Sequence, residues 1–90
     1  MNLSGKRIIL TGAAGGIGYR LALLLAAKGA RLALVERNAP RVEEICAEIN
    51  QNGSMATSIA LDLSAEGAPQ QAVDAALQVM GGVDMLINNA

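Results

Sequence analysis

Thr11-Gly12-Ala13-Ala14-Gly15-Gly16-Ile17-Gly18 stands between the apolar run Ile8-Ile9-Leu10 and the helix-periodic Leu21-Ala22-Leu23-Leu24-Leu25. A buried strand, a glycine-rich turn and a helix in that order predict a seat for a phosphate. The first amides of a helix have no acceptor inside it, and the aligned peptide dipoles add partial positive charge at the same end. An anion can take those bonds only where no side chain intervenes. Gly12 supplies the tight turn, since glycine reaches positive φ without strain. Gly16 and Gly18 let the backbone approach a pyrophosphate and let the helix sit close against its strand.

Spacing separates this loop from its relatives. A P-loop requires Lys and then Ser or Thr directly after its last glycine, whereas Gly18 is followed by Tyr19 and Arg20. The Gly-x-Gly-x-x-Gly fingerprint would need a third glycine where this chain has Leu21. The stretch Thr-Gly-x-x-x-Gly-Ile-Gly instead resembles the cofactor loop of the short-chain dehydrogenase/reductase family. The resemblance implies that Ala14, Gly15, Gly16 and Ile17 join Gly12 and Gly18 around a nicotinamide dinucleotide. A glycine cluster serving only as a flexible turn is the blander alternative, and the flanking strand and helix argue against it.

Outward from the loop, Arg7 to Thr11 reads as a first strand, continuous in apolar residues as a strand covered on both faces is. The following helix carries Ile17, Leu21, Leu24 and Leu25 at helical spacing and stops at Gly29. Leu32 to Val35 forms a second strand. Asn38, Ala39 and Pro40 open a second helix with Val42, Ile45, Cys46 and Ile49 on one face, Glu43, Glu44 and Glu48 toward solvent, and Gly53 at its end. A third strand runs from about Met55 to Leu61. The third helix turns Val73, Ala76, Leu77 and Met80 inward and is closed by Gly81-Gly82, and Val83 to Ile87 is the fourth strand. This alternation predicts an α/β fold, a doubly wound parallel sheet with strand order 3-2-1-4 and the glycine loop at the carboxyl end of the first strand. No linker interrupts it, so residues 1–90 read as one Rossmann domain truncated after its fourth strand. Val83, Met85, Leu86 and Ile87 would leave an uncharged apolar edge that expects more sheet.

The end of the second strand bears on the choice of dinucleotide. Glu36, about twenty residues beyond the glycine turn, can accept hydrogen bonds from an adenosine ribose and repel a 2′-phosphate, favouring NAD. Arg37 pulls toward NADP, because a guanidinium there can pair with that phosphate. The two side chains can also pair with each other as an exposed ion pair of little energetic value. Relatives that use NADP often carry a basic residue at the place of Gly15, so NAD is the preferred cofactor and NADP the second choice.

Asp62, directly after the third strand, can accept from an adenine amino group while Leu63 packs nearby, or it can simply cap the turn. The resemblance favours the first, since the family places an Asp and a hydrophobic residue there against the adenine. Asn88-Asn89-Ala90 is similar to the start of the family's Asn-Asn-Ala-Gly signature, which implies that Asn88 stabilises the sheet while Asn89 and Ala90 face the cofactor ribose. An ordinary turn-forming Asn pair is the alternative.

Composition narrows the class further. Ninety residues with 52% hydrophobic content but Tyr19 as the only aromatic must build a core from Ala, Leu, Ile, Val and Met, a palette that suits parallel strands under Ala/Leu-rich helices. A net charge of −1, no histidine and no basic cluster point away from nucleic acid and anionic membranes. Cys46, the single cysteine, sits on an apolar helical face and reads as a buried thiol, and Met80 and Met85 read as packing residues. With no leader pattern and no membrane-length apolar run, the expected compartment is cytoplasmic.

The family's chemistry is carried by a Ser, a Tyr-x-x-x-Lys pair and commonly an Asn. Tyr19 is followed four positions on by Leu23, and Ser4, Ser54, Ser58 and Ser64 match no catalytic position. No catalytic residue is therefore expected within these ninety, which read as the cofactor-binding part of a longer enzyme, inactive alone. The resemblance implies an oxidoreductase moving hydride between a nicotinamide cofactor and an alcohol or carbonyl substrate, as a homodimer or homotetramer when complete. The alternatives are a non-catalytic dinucleotide-binding module and an adenine-nucleotide or adenosylmethionine site using a similar loop.

Overall fold

Ile8, Ile9 and Leu10 are apolar in succession because both faces of their strand are covered. In the computed structural model, which describes residues 2–89, β1 (Arg7–Thr11) lies inside a four-stranded sheet. It is followed by α1 (Gly16–Ala27), β2 (Arg31–Glu36), α2 (Ala39–Gln51), β3 (Met55–Ala60), α3 (Ala68–Met80) and β4 (Met85–Asn88). The strand order is β3-β2-β1-β4 and every pairing is parallel, with Ile8 opposite Leu32 on one side and Met85 on the other. Both the doubly wound sheet and its 3-2-1-4 order match the sequence-based expectation.

Alternation along the strands divides the core in two. Ile8, Leu10, Leu32 and Leu34 face α1 and α2, where they meet Val42, Ile45 and Ile49. Ile9, Ala33, Val35 and Ile59 face α3 and meet Ala72, Ala76 and Met80. Each large aliphatic side chain removed from water contributes about 1.5–3 kcal/mol. Cys46 is buried in the first cluster, and burial, reinforced by Glu43, pushes its thiol up to about 11. It behaves as a small hydrophobe.

Two helices turn differently from the sequence-based expectation. In α1 the buried side is Gly18, Ala22, Leu25 and Ala26, while Ile17 is 75% and Leu24 54% exposed. In α3 the buried side is Ala68, Ala72, Ala76 and Met80, and Val73 and Leu77 stand outward. The physical reason is the same in both. A glycine or alanine at every fourth position lets a helix axis approach the sheet closely, and the larger side chains are displaced to the flanks. In α2 the expected face, Val42, Ile45, Cys46 and Ile49, is the buried one. Its Glu48 is half-buried, contrary to a purely solvated reading, because the Tyr19 hydroxyl donates to both of its oxygens at 2.8 and 2.9 Å. That bond, and then burial, raise the tyrosine above its ordinary pKa, and Arg41 lies 4.9 Å over the ring. Tyr19 thus ties α1 to α2.

Ends of elements follow from local chemistry. α1 closes in a Schellman arrangement: Gly29, at φ +87°, donates to the Ala26 carbonyl at 2.9 Å and Ala30 donates to that of Leu25 at 3.2 Å. Asn38 caps α2 by accepting from the Arg41 amide at 3.2 Å. β4 begins at Met85 rather than Val83, because Asp84 turns the chain into the sheet. Its amide donates to the Arg7 carbonyl, and its carboxylate accepts from the Arg7 amide at 2.9 Å and from the guanidinium at 3.0 Å.

Those bonds from Arg7 hold the Asp84 carboxyl at about 2. A carboxyl whose folded pKa lies below its unfolded value of about 3.9 contributes stability that is complete above pH 4 or so and is lost as pH falls through about 2. Urea midpoints measured across that window should therefore decline in the native protein. Asp84→Asn should start lower at neutral pH and decline less steeply; equal slopes would remove this pair from the acid limb.

Candidate functional site

The glycine loop leaves β1 at the carboxyl edge of the sheet. Gly12 takes φ +69° and donates to the Val35 carbonyl at 3.1 Å, which pins the turn to β2. Its own carbonyl accepts from the Gly15 amide at 3.4 Å and from Asn89 Nδ2 at 3.3 Å. Gly15 occupies the N-cap of α1 and offers no side-chain cap, so the first-turn amides of Gly16, Ile17 and Gly18 have no acceptor within the helix.

The glycines divide the work. A Cβ on Gly18 would overlap the Gly12 carbonyl oxygen and lie 2.9 Å from Asn89 Nδ2, whereas a Cβ on Gly16 would have nothing within 4 Å. Gly18 therefore sets how closely helix and strand end pack, while the space beside Gly16 is open. Ala13 is fully buried beneath the turn. Ala14 is half-buried, and Ile17 is exposed.

Thr11, whose role the sequence reading left unassigned, fastens β4 to this loop. It is 5% exposed, its hydroxyl donates to Asn88 Oδ1 at 2.8 Å, and its Oγ1 accepts from the Asn89 amide at 3.0 Å. Asn88 thus stabilises the sheet end, as expected. Asn89, expected to face a ribose, is placed with its side-chain amide on the Gly12 carbonyl. Ala90 lies outside the described residues. The available signal for Thr11 was a hydroxyl residue at the last position of an otherwise apolar strand.

Beside the loop, a cavity of about 300 Å³ opens between the ends of β2 and β3, lined among others by Gly12, Val35, Glu36, Arg37, Asp62 and Leu63. The structure thus brings together the acid that ends β2, the acid beyond β3 and the glycine turn. Glu36 is held from two sides: Oε2 accepts a long bond from the Ala14 amide at 3.4 Å, and Oε1 accepts from the Arg37 amide at 3.1 Å. The ion pairs among the described residues are Arg7–Asp84 and Arg41–Glu44, so Glu36 and Arg37 do not form the mutual pair weighed above. Asp62 accepts from the Ser64 hydroxyl at 2.6 Å and from the Ser64 amide at 3.0 Å, and these bonds hold its carboxyl below the usual range.

A second, more apolar cavity of about 380 Å³ lies between α3 and the exposed side of β4, sharing Leu63 with the first and bordered by Thr11, Val73, Leu86 and Asn88. Among the described residues no group of three or more His, Cys, Asp or Glu side chains is arranged to hold a metal, and no helix is long and apolar enough to cross a membrane.

A family model described as short chain dehydrogenase matches residues 6–90. D-threitol dehydrogenase of Mycolicibacterium smegmatis is 38% identical over 88 residues, covering 98% of this chain and 34% of the relative. Among solved structures, an NAD+-bound xylitol dehydrogenase superimposes with a TM-score of 0.92 at 36% identity, over 100% of this chain and 35% of that one. A short chain dehydrogenase from Burkholderia cenocepacia in complex with NADP gives 0.90 at 40% identity, over 100% and 37%. The chain spans about a third of the length of the relatives it matches.

Proposed function

The chain belongs to the short chain dehydrogenase family, and from that premise we propose that it holds the nicotinamide dinucleotide of an oxidoreductase, with NAD preferred over NADP. The observation that carries the reading is the uncapped first turn of α1, opened by Gly16 beside a cavity with Glu36 and Asp62 on its rim. The residues fit such a ligand. The amides after Gly15 offer donors to a pyrophosphate, Glu36 offers acceptors to ribose hydroxyls, and Val35, Leu61 and Leu63 offer apolar walls to the adenine. When bound, the dinucleotide supplies a nicotinamide ring that gives or accepts hydride.

In the whole protein the substrate of that transfer is an alcohol or carbonyl compound, in line with the dehydrogenases among the relatives. The proposed setting is a cytoplasmic homodimer or homotetramer. The residues that polarise the substrate and move its proton are proposed to belong to chain other than residues 1–90, since Tyr19 is engaged by Glu48 between two helices.

Preference for NAD rests on Glu36, which is anchored by backbone amides rather than neutralised by Arg37. A 2′-phosphate brought to that rim would meet a fixed carboxylate and forfeit the ribose bonds, and hydrogen bonds to charged groups contribute about 1.5–3 kcal/mol, tenfold or more in affinity. Calorimetric titration should find NAD+ at least about tenfold tighter than NADP+. Glu36→Ala should remove most of that margin, and Arg37→Ala should widen it by weakening NADP+. Equal affinities in the native protein would refute the preference, and binding of neither dinucleotide would refute the function.

A further inference from the structure

A third cavity, of about 510 Å³, lies between the last turns of α1 and α2 and shares no lining residue with the two described above. Its volume falls in the range of small-molecule sites. Leu23, Ala26, Ala27 and Ile49 give it apolar walls, and Glu48 and Asn52 stand among its polar ones. Two helices end here, α1 at Ala27 and α2 at Gln51 with Asn52 as its C-cap. Aligned peptide dipoles leave partial negative charge at such ends, where a cation is stabilising. Neither helix has a basic residue in its last turn, and Lys28, the C-cap of α1, is exposed and does not line the cavity.

The main-chain donors of the lining are spent. Gly29 donates to the Ala26 carbonyl, the Asn52 and Ser54 amides both donate to that of Ile49 at 3.1 and 3.3 Å, and the other lining amides lie inside the two helices. The Ser54 hydroxyl gives its proton to the Ala26 carbonyl at 3.0 Å and is left as an acceptor. The Asn52 carboxamide is the remaining donor, and it brings an acceptor with it. Glu48 is half-buried and belongs to no ion pair among the described residues. The single proton of the Tyr19 hydroxyl serves both of its oxygens, against about four lone-pair sites. Arg41, over the Tyr19 ring, is paired with Glu44 at 3.7 Å.

We propose that this cavity binds a small organic cation, a guanidinium or ammonium group on a short aliphatic stem, with the charged head on Glu48 and the stem along Leu23, Ala27 and Ile49. A planar guanidinium matches a carboxylate with two parallel, charge-assisted bonds. A neutral head of the same shape forfeits the charge, and an anion meets a carboxylate and two negative helix ends. The site is separate from the dinucleotide reading and stands whether or not that reading holds.

The test is calorimetric titration with butylguanidinium and with butylurea, its neutral counterpart of similar shape. The native protein should bind the cation about tenfold or more tightly than the urea, the factor expected for a hydrogen bond to a charged group. Glu48→Gln, whose amide oxygen still accepts from Tyr19, should cut that ratio to about threefold or less while NAD+ affinity stays native. Glu66→Gln removes the same unit of charge from an exposed residue outside the cavity and should keep the native ratio, which separates the local carboxylate from net charge. Ala27→Leu, at an exposed lining position, should fill the space and weaken both ligands, and it decides the matter if Glu48→Gln does not fold. Equal binding of the two ligands by the native protein, binding of neither, a native ratio in Glu48→Gln, an equal loss in Glu66→Gln or native affinities in Ala27→Leu would each overturn the site. Titration of the same proteins with NAD+ reports on dinucleotide binding independently.

Discussion

Gly18→Ala is expected to abolish measurable dinucleotide binding, with a loss of at least about a hundredfold, and to lower the melting temperature as well. The added Cβ has nowhere to go. It would overlap the Gly12 carbonyl oxygen and stand 2.9 Å from Asn89 Nδ2, and the first of these is backbone held by the turn itself. Relief requires the start of α1 to lift away from the end of β1. That movement loosens the packing of Ala22, Leu25 and Ala26 and displaces the amides that would meet a pyrophosphate. Overpacking of this kind costs about 1–3 kcal/mol, more where the obstacle is main chain. Gly16→Ala is the informative contrast. Its Cβ would meet nothing within 4 Å, so the protein should melt as the native one does, yet on the proposed binding mode the methyl would stand where the phosphate approaches, and affinity should still fall about tenfold or more. Thermal melts paired with calorimetric titration separate the two. Native binding by Gly18→Ala would show that close contact between helix and turn is not what shapes the site.

The second large effect belongs to Thr11. Thr11→Val preserves the shape at a buried position and removes the hydroxyl, leaving Asn88 Oδ1 on an exposed residue without a donor and the amide of half-buried Asn89 without an acceptor. A group stripped of its partner away from water costs about 1–3 kcal/mol; the exposed Asn88 Oδ1 can turn to water, so the cost falls mainly on the Asn89 amide and should be about 1–3 kcal/mol. In a domain of this size each kcal/mol shifts the midpoint by about 4–8 °C, which puts the expected drop at about 4 °C or more. Thr11→Ser should retain most of the native stability. Because Asn89 also reaches the Gly12 carbonyl, the valine protein should bind dinucleotide more weakly even well below its melting point. A valine protein that melts within a degree or two of the native one would mean that water or a shifted Asn88 replaces the lost bonds.

Much of this site was legible in the sequence, for identifiable reasons. Ile8-Ile9-Leu10 before the glycines and the helix-spaced leucines after them are long, strongly patterned signals, and they fix both the parallel sheet and the place of the loop in it. Glu36 and Asp62 were legible as neighbours because one closes β2 and the other stands two residues beyond β3, and in a doubly wound sheet those strand ends converge on one edge. The orientation of α1 was not legible. Its leucines at 21, 23, 24 and 25 surround much of the helix, so no single apolar stripe stands out, and the deciding feature is the row of small residues, Gly18, Ala22 and Ala26, that permits close approach. The same holds for Ala68, Ala72 and Ala76 in α3. Contacts between residues far apart in the chain were equally hidden. Nothing in local spacing shows that Tyr19 meets Glu48 or that Thr11 meets Asn89, because the topology, not the sequence neighbourhood, brings them together.

Where a bound dinucleotide sits decides the proposed function. A crystal structure of the protein with NAD+ bound should show the pyrophosphate against the amides of Gly16, Ile17 and Gly18, the ribose hydroxyls on Glu36, and the adenine in the cavity between Val35 and Leu63 with its amino group toward Asp62. A dinucleotide lying instead in the apolar cavity between α3 and β4, or one whose phosphates make no contact with the glycine loop, would contradict it.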